Sequence, residues 1–136
     1  MKLLVDTPFG ETINAEVSEV LVPGDAGELG FLPGHTPLVT LLGIGELRYT
    51  VDGTTKYAAV ARGYVEVSGD VVRVVTESCE LAEKIDVERA HEAEKRAEKA
   101  LAEVPIEIEY DAQRETYTRA LKRAKARQEV AKRAKG

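Results

Sequence analysis

Two periodicities divide the chain. Up to about residue 84, apolar residues alternate with polar ones or gather in short β-branched runs. From Asp86 onward they recur at steps of three and four. The first half therefore predicts strands. Residues 60–67 and 71–76 are rich in valine, and Ser68-Gly69-Asp70 between them has turn chemistry, so they read as a hairpin. Residues 47–51 and 55–59 flank Asp52-Gly53, a second hairpin signal. Residues 2–5 and 13–22 add earlier strands. Several short strands at this spacing predict a β-sandwich or barrel.

Residues 23–37 break the alternation. They are dense in glycine and proline, so the backbone turns repeatedly there. A glycine-rich loop is able to cradle phosphate, but no Gly-Lys-Ser/Thr follows and the spacing fits no dinucleotide fingerprint. Tight turns joining sandwich strands are the favoured reading. His35 reads as a hydrogen-bonding loop residue, because no nucleophile accompanies it in sequence.

In the second half Asp86 is a good N-cap and Glu88 lies where the helix dipole favours an acid. Ala90, Ala93, Ala97 and Leu101 mark one face, and Glu92 with Arg96 is a supportive pair one turn apart. Pro105 ends this helix, and residues 104–110 form a connector that is partly extended in character. Asp111 caps a second helix running to about Ala134, with Tyr117, Ala120, Leu121, Ala124 and Ala131 on its apolar face. Residues 131–136 lack an apolar anchor and are expected to fray. The two helices make an αα-hairpin. Both faces are alanine-rich, and hydrophobic stabilisation scales with buried area at about 25 cal/mol per Å². The hairpin is therefore expected to be held by only a few kcal/mol at most, detachable from a more rigid β-body.

Composition narrows the class of protein. In 136 residues there is no Trp, so the core is thin. One cysteine, Cys79, cannot form an internal disulfide or a cysteine-based metal cluster, and suits a reducing compartment. His35 and His91 are far apart, which argues against a His-pair zinc site. No apolar run reaches the roughly 18 residues of a membrane span, and the early Asp6 argues against a signal peptide. The net charge of -5 is unevenly distributed: residues 1–84 carry -7, residues 85–113 carry -5, and residues 114–136 carry +7. A basic segment behind an acidic body suits contact with an acidic partner, although charged helix faces also serve solubility alone.

The order of these features resembles the epsilon subunit of the bacterial F-type ATP synthase. The resemblance rests on Pro23-Gly24, Gly27, Gly30, Leu32-Pro33-Gly34-His35 and Pro37-Leu38, then Gly45 and Leu47. It continues in Arg62-Gly63-Tyr64-Val65-Glu66-Val67 and in Ile85-Asp86-Val87-Glu88-Arg89-Ala90, and is weakest over 104–111. It implies an α+β fold: an N-terminal β-sandwich of about ten strands over residues 1–84 and a regulatory two-helix hairpin over residues 85–136. It also implies a non-catalytic central-stalk subunit, peripheral on the cytoplasmic face of the bacterial inner membrane and attached only through the complex. The sandwich would bind the gamma subunit and the c-ring, with Gly30, Leu32, Pro33, Gly34 and His35 as partner-binding residues. The hairpin would restrain ATP hydrolysis in an extended form, with Arg119, Lys122, Arg123 and Arg127 meeting the beta and alpha subunits of the catalytic head. No metal and no resident cofactor are implied. ATP is implied as a regulatory ligand of the compact form, held by Glu80, Ile85, Asp86, Arg89, Ala90, Arg96, Arg119 and Arg123. Arginine suits that role because its planar fork binds phosphate oxygens in pairs.

Other readings stay open on the residues alone. A small β-sandwich with a basic tail for nucleic acid or another acidic partner is one, although Tyr117 is the sole stacking aromatic in that tail and nucleic acid is not the expected partner. Another is an enzyme using His35 or the acids between 77 and 88, but those acids lie at a strand-to-helix junction where capping accounts for them. Within the family that the chain resembles, a third is a coupling subunit whose hairpin never switches.

Overall fold

The computed structural model describes residues 1–105 and 111–134. The β-branched half forms ten strands: β1 (Lys2–Thr7), β2 (Gly10–Glu16), β3 (Glu19–Gly24), β4 (Gly27–Phe31), β5 (Leu38–Leu42), β6 (Gly45–Val51), β7 (Thr54–Val60), β8 (Gly63–Ser68), β9 (Val71–Thr76) and β10 (Cys79–Leu81). They pair in the order β10-β7-β6-β3-β5-β8-β9-β1-β2, with β4 on β3. Gly24 opposite Leu42 is the sole register pair between β3 and β5, so this is the corner where one layer passes into the other. One layer is then β10-β7-β6-β3-β4 and the other β5-β8-β9-β1-β2. The expected β-sandwich followed by two helices is the fold observed.

Both predicted hairpins form. Asp52 at φ 48° and Gly53 at φ 79° turn β6 into β7, and positive φ at both positions matches the right-handed twist of the flanking strands. Gly69 turns β8 into β9 at φ 59°. Two predicted strands are each broken in the fold. Residues 13–22 divide at Val17-Ser18, where Val17 N–H donates to the Met1 carbonyl and Ser18 N–H to that of Thr50. Residues 60–67 divide at Ala61-Arg62, where the chain leaves one layer for the other. The buried hydroxyl of Thr76 holds this bend through the Ala61 carbonyl. Periodicity does not reveal such corners, because both sides of each keep a buried face. The glycine-rich region also contains a strand, β4, besides its turns.

Leu3, Val5, Val20, Val22, Leu47, Val65, Val72 and Val74 are completely buried between the layers, with Phe31 nearly so. Cys79 faces this core from β10, and burial followed by the nearby Glu80 charge pushes its thiol up to about 12.

A short 3-10 turn, Ala82–Lys84, leads to α1 (Val87–Ala102) and then α2 (Ala112–Arg133). Both predicted caps form: Asp86 Oδ1 accepts from Arg89 N–H at 3.1 Å, and Asp111 Oδ1 from Gln113 N–H at 2.7 Å. Most of the expected extended connector, residues 106–110, lies outside the described residues. The expected fraying after residue 131 is corrected as far as the described residues reach. Ala131 is buried, Val130 beside it supplies the apolar anchor, and Arg133 is hydrogen-bonded to the sandwich.

The hairpin rests through α2 on β6, β7 and the 3-10 turn. Its buried seam is Val130 on Ala59 and Ala82, with Tyr57 and Ile85 partly buried against them. Burying a valine contributes about 2 kcal/mol and an alanine methyl less, so the seam is weak.

Gly63 begins β8 opposite Thr76, and a Cβ there would lie 1.8 Å from the Val75 carbonyl oxygen. Gly63→Ala should therefore destabilise the sandwich by about 3 kcal/mol, read as a lower midpoint in chemical denaturation.

Candidate functional site

The alanines of the two helices leave a groove between them. Ala93, Ala97 and Ala100 from α1 and Ala120 from α2 line it, with Tyr117 also on its wall. Over these small side chains lie Arg89 and Arg96 from α1 and Arg123 and Arg127 from α2, around about 480 Å³ of space. Arg89 and Arg96 are seven residues apart, two turns along one helix face, and Arg123 and Arg127 are four apart, one turn.

These guanidiniums are poorly neutralised. Among the described residues Arg89, Arg96 and Arg123 form no ion pair with a carboxylate, and the predicted Glu92–Arg96 pair does not form. Arg127 approaches Glu80 Oε1 at 3.6 Å, while its own Nε is buried without a hydrogen-bond partner. A second cavity of about 140 Å³, lined by Ala59, Val60, Ser78 and Glu80, shares Arg123 and Arg127 with the first. The shared pair joins the hairpin groove to the sandwich edge at β7 and β10. Like charges gathered over an apolar floor, with a buried N–H unsatisfied, suit an anion with several oxygens.

The residues singled out from sequence fall in different places. Arg89, Arg96 and Arg123 line the groove and Glu80 the adjoining cavity. Arg119 lies away from both, with its Nη1 2.7 Å from Glu115 Oε1 one turn back. Asp86 spends a carboxylate oxygen on the cap of α1, Ile85 packs into the docking seam, and Ala90 is completely buried. Arg127, read only as partner-binding, belongs to the groove. Its place one helical turn beyond Arg123 was the available signal. Lys122 points to solvent.

The residues read as partner-binding in the sandwich lie in and after β4. Leu32, Pro33 and Gly34 are exposed, with Gly34 at φ 85°. His35 N–H donates to the Leu32 carbonyl, its Nδ1 lies 2.6 Å from the Thr36 carbonyl oxygen, and its ring meets Phe31 edge-on at 5.0 Å. Next to them is a surface that sequence reading missed. Val39 and Leu41 on β5 are 67% and 62% exposed, and Tyr64, opposite Leu41 on β8, is 43% exposed. Apolar residues on an outer sheet face mark an interaction surface. The run Leu38-Val39-Thr40-Leu41-Leu42 was the signal for it.

A β-sandwich carrying a two-helix hairpin is the class of protein these features define. The family described as "ATP synthase, Delta/Epsilon chain, beta-sandwich domain" matches residues 1–82. The ATP synthase epsilon chain of Geotalea uraniireducens (strain Rf4) is 43% identical over 134 residues, covering 98% of this chain and 95% of that one. That of Thermodesulfovibrio yellowstonii is 50% identical over 101 residues, covering 74% and 72% respectively. Among solved structures, a chain of the Euglena gracilis mitochondrial ATP synthase (OSCP/F1/c-ring, rotational state 1) shares the fold. Its TM-score is 0.75 at 23% identity, with 98% of this chain and 80% of that chain covered. The chain belongs to the ATP synthase epsilon chain family.

Relieving the charge crowding should be measurable without any ligand. Arg96→Gln is expected to raise the thermal midpoint at low salt by about 2 °C, an effect that added salt removes.

Proposed function

We propose that this chain is a non-catalytic central-stalk subunit of a proton-translocating ATP synthase, and that its hairpin senses ATP and restrains ATP hydrolysis. The observation that carries the sensing is the set of four arginines around one groove, of which Arg89, Arg96 and Arg123 have no carboxylate partner among the described residues. The triphosphate would be held by Arg123 and Arg127, shared between the two cavities, with Arg89 and Arg96 closing from the other helix. Ser78 and Glu80 of the smaller cavity offer polar groups to the base. Such a ligand binds both helices at once, so it favours the compact hairpin by mass action. Loss of ATP would release the hairpin to its extended, inhibitory form. The basic face of α2, including Lys122 and Arg119, would then meet acidic surface on the beta and alpha subunits of the catalytic head.

The sandwich supplies the coupling role. Val39, Leu41 and Tyr64 would dock the gamma subunit, and the Leu32-Pro33-Gly34-His35 turn would contact gamma and the c-ring. The subunit would thus be peripheral, on the cytoplasmic face of the bacterial inner membrane. None of the described helices is long and apolar enough to cross a membrane.

Calorimetry of the full chain tests the nucleotide site. ATP should bind, and Arg123→Ala should weaken binding by about tenfold or more, the loss of a charge-assisted hydrogen bond. Absence of heat at millimolar ATP, with or without Mg, together with indifference to Arg89→Ala, would overturn it.

Copurification tests the docking face. Leu41→Asp should abolish recovery of the chain with gamma while leaving the ATP heat unchanged, since a charge there would be desolvated in the interface.

A further inference from the structure

The last turn of α2 is fastened to the sandwich by charge as well as by the valine seam. Arg133 Nε donates to Glu46 Oε2 at 3.0 Å, and its guanidinium lies 5.4 Å from the ring centroid of Tyr57. Glu46, at the start of β6, is only 21% exposed. Its other oxygen, Oε1, lies 3.3 Å from Arg48 Nε, which is buried and off the line of a hydrogen bond. Arg48 Nη2 in turn donates to Glu28 Oε2 on β4 at 2.5 Å. Charges of alternating sign therefore run Glu28, Arg48, Glu46, Arg133, from the glycine-rich ribbon to the C-terminal end of α2.

Two arginines compete for Glu46. While Glu28 neutralises Arg48, Glu46 is left to hold Arg133. If Glu28 loses its charge, Arg48 draws on Glu46 and repels Arg133. Each link is modest at a partly exposed site. The apolar seam beside them is also small, so modest changes suffice to move the docking equilibrium.

We infer that Arg133, Glu46 and Tyr57 form a latch for the docked hairpin, and that the Arg48–Glu28 pair, farther along the same outer face of the sheet, sets its strength. A partner presenting a cationic group to Glu28, which is half exposed, would thereby loosen the hairpin. This rests on the reading that the hairpin can leave the sandwich, but not on nucleotide binding.

Thiol labelling of the full chain tests the latch. Ala59 faces α2 and is covered by it, so a cysteine placed there reacts when the hairpin departs. Cys79 is partly buried against the sandwich core, so a change in its labelling rate reports opening of the sandwich itself. In Ala59→Cys, Arg133→Ala should speed labelling at position 59 about fivefold with Cys79 unchanged. Glu28→Gln should speed it about twofold, and should add nothing once Arg133 is gone. No effect of Arg133→Ala would overturn the latch. No effect of Glu28→Gln, or the same effect without Arg133, would overturn the remote control. Slower labelling on adding ATP checks the nucleotide reading separately, and its failure would leave the latch standing.

Discussion

Alanine is the residue on which the helical half depends. A methyl group is too small to fill the space between two helices or to bind a helix firmly to a sheet. Ala93, Ala97, Ala100 and Ala120 therefore leave an open groove where leucines would close it. Ala59 and Ala82 give α2 a shallow seat with Val130 as the one larger side chain in its buried centre. The same scarcity of apolar area leaves the groove open and keeps the buried seam small.

Charge occupies what the small side chains leave. Arg89, Arg96, Arg123 and Arg127 overlie the groove, and Arg133 reaches the sandwich through Glu46. Exposed pairs contribute little to an interface already fixed by a large apolar contact. Against a seam in which only Val130, Ala59 and Ala82 are fully buried, with Tyr57 and Ile85 partly so, they are a larger share of the contact, and salt weakens that share.

The sandwich meets the opposite requirement. Its core is filled by completely buried valines and leucines, and its corners are tied by specific contacts such as the Thr76 hydroxyl on the Ala61 carbonyl. Gly63 lies so close to the Val75 carbonyl that no side chain fits. A body of this kind holds an outer apolar face and a charged ribbon in fixed register.

The sequence by itself determined the elements that rest on local chemistry. Asp52-Gly53, the caps Asp86 and Asp111, the change from strand to helical period, and the β-sandwich-plus-hairpin order were all legible, because turns and caps are fixed by neighbouring residues. Arg89, Arg96 and Arg123, which the family resemblance implied as a nucleotide site, line one groove between the helices. The tertiary structure alone decided where the long β-branched runs bend between layers, and that Arg119 turns to Glu115 while Arg127 faces the groove. It also decided that Arg133 meets Glu46, 87 residues away. Periodicity assigns a residue to a face but does not say which distant element that face will meet.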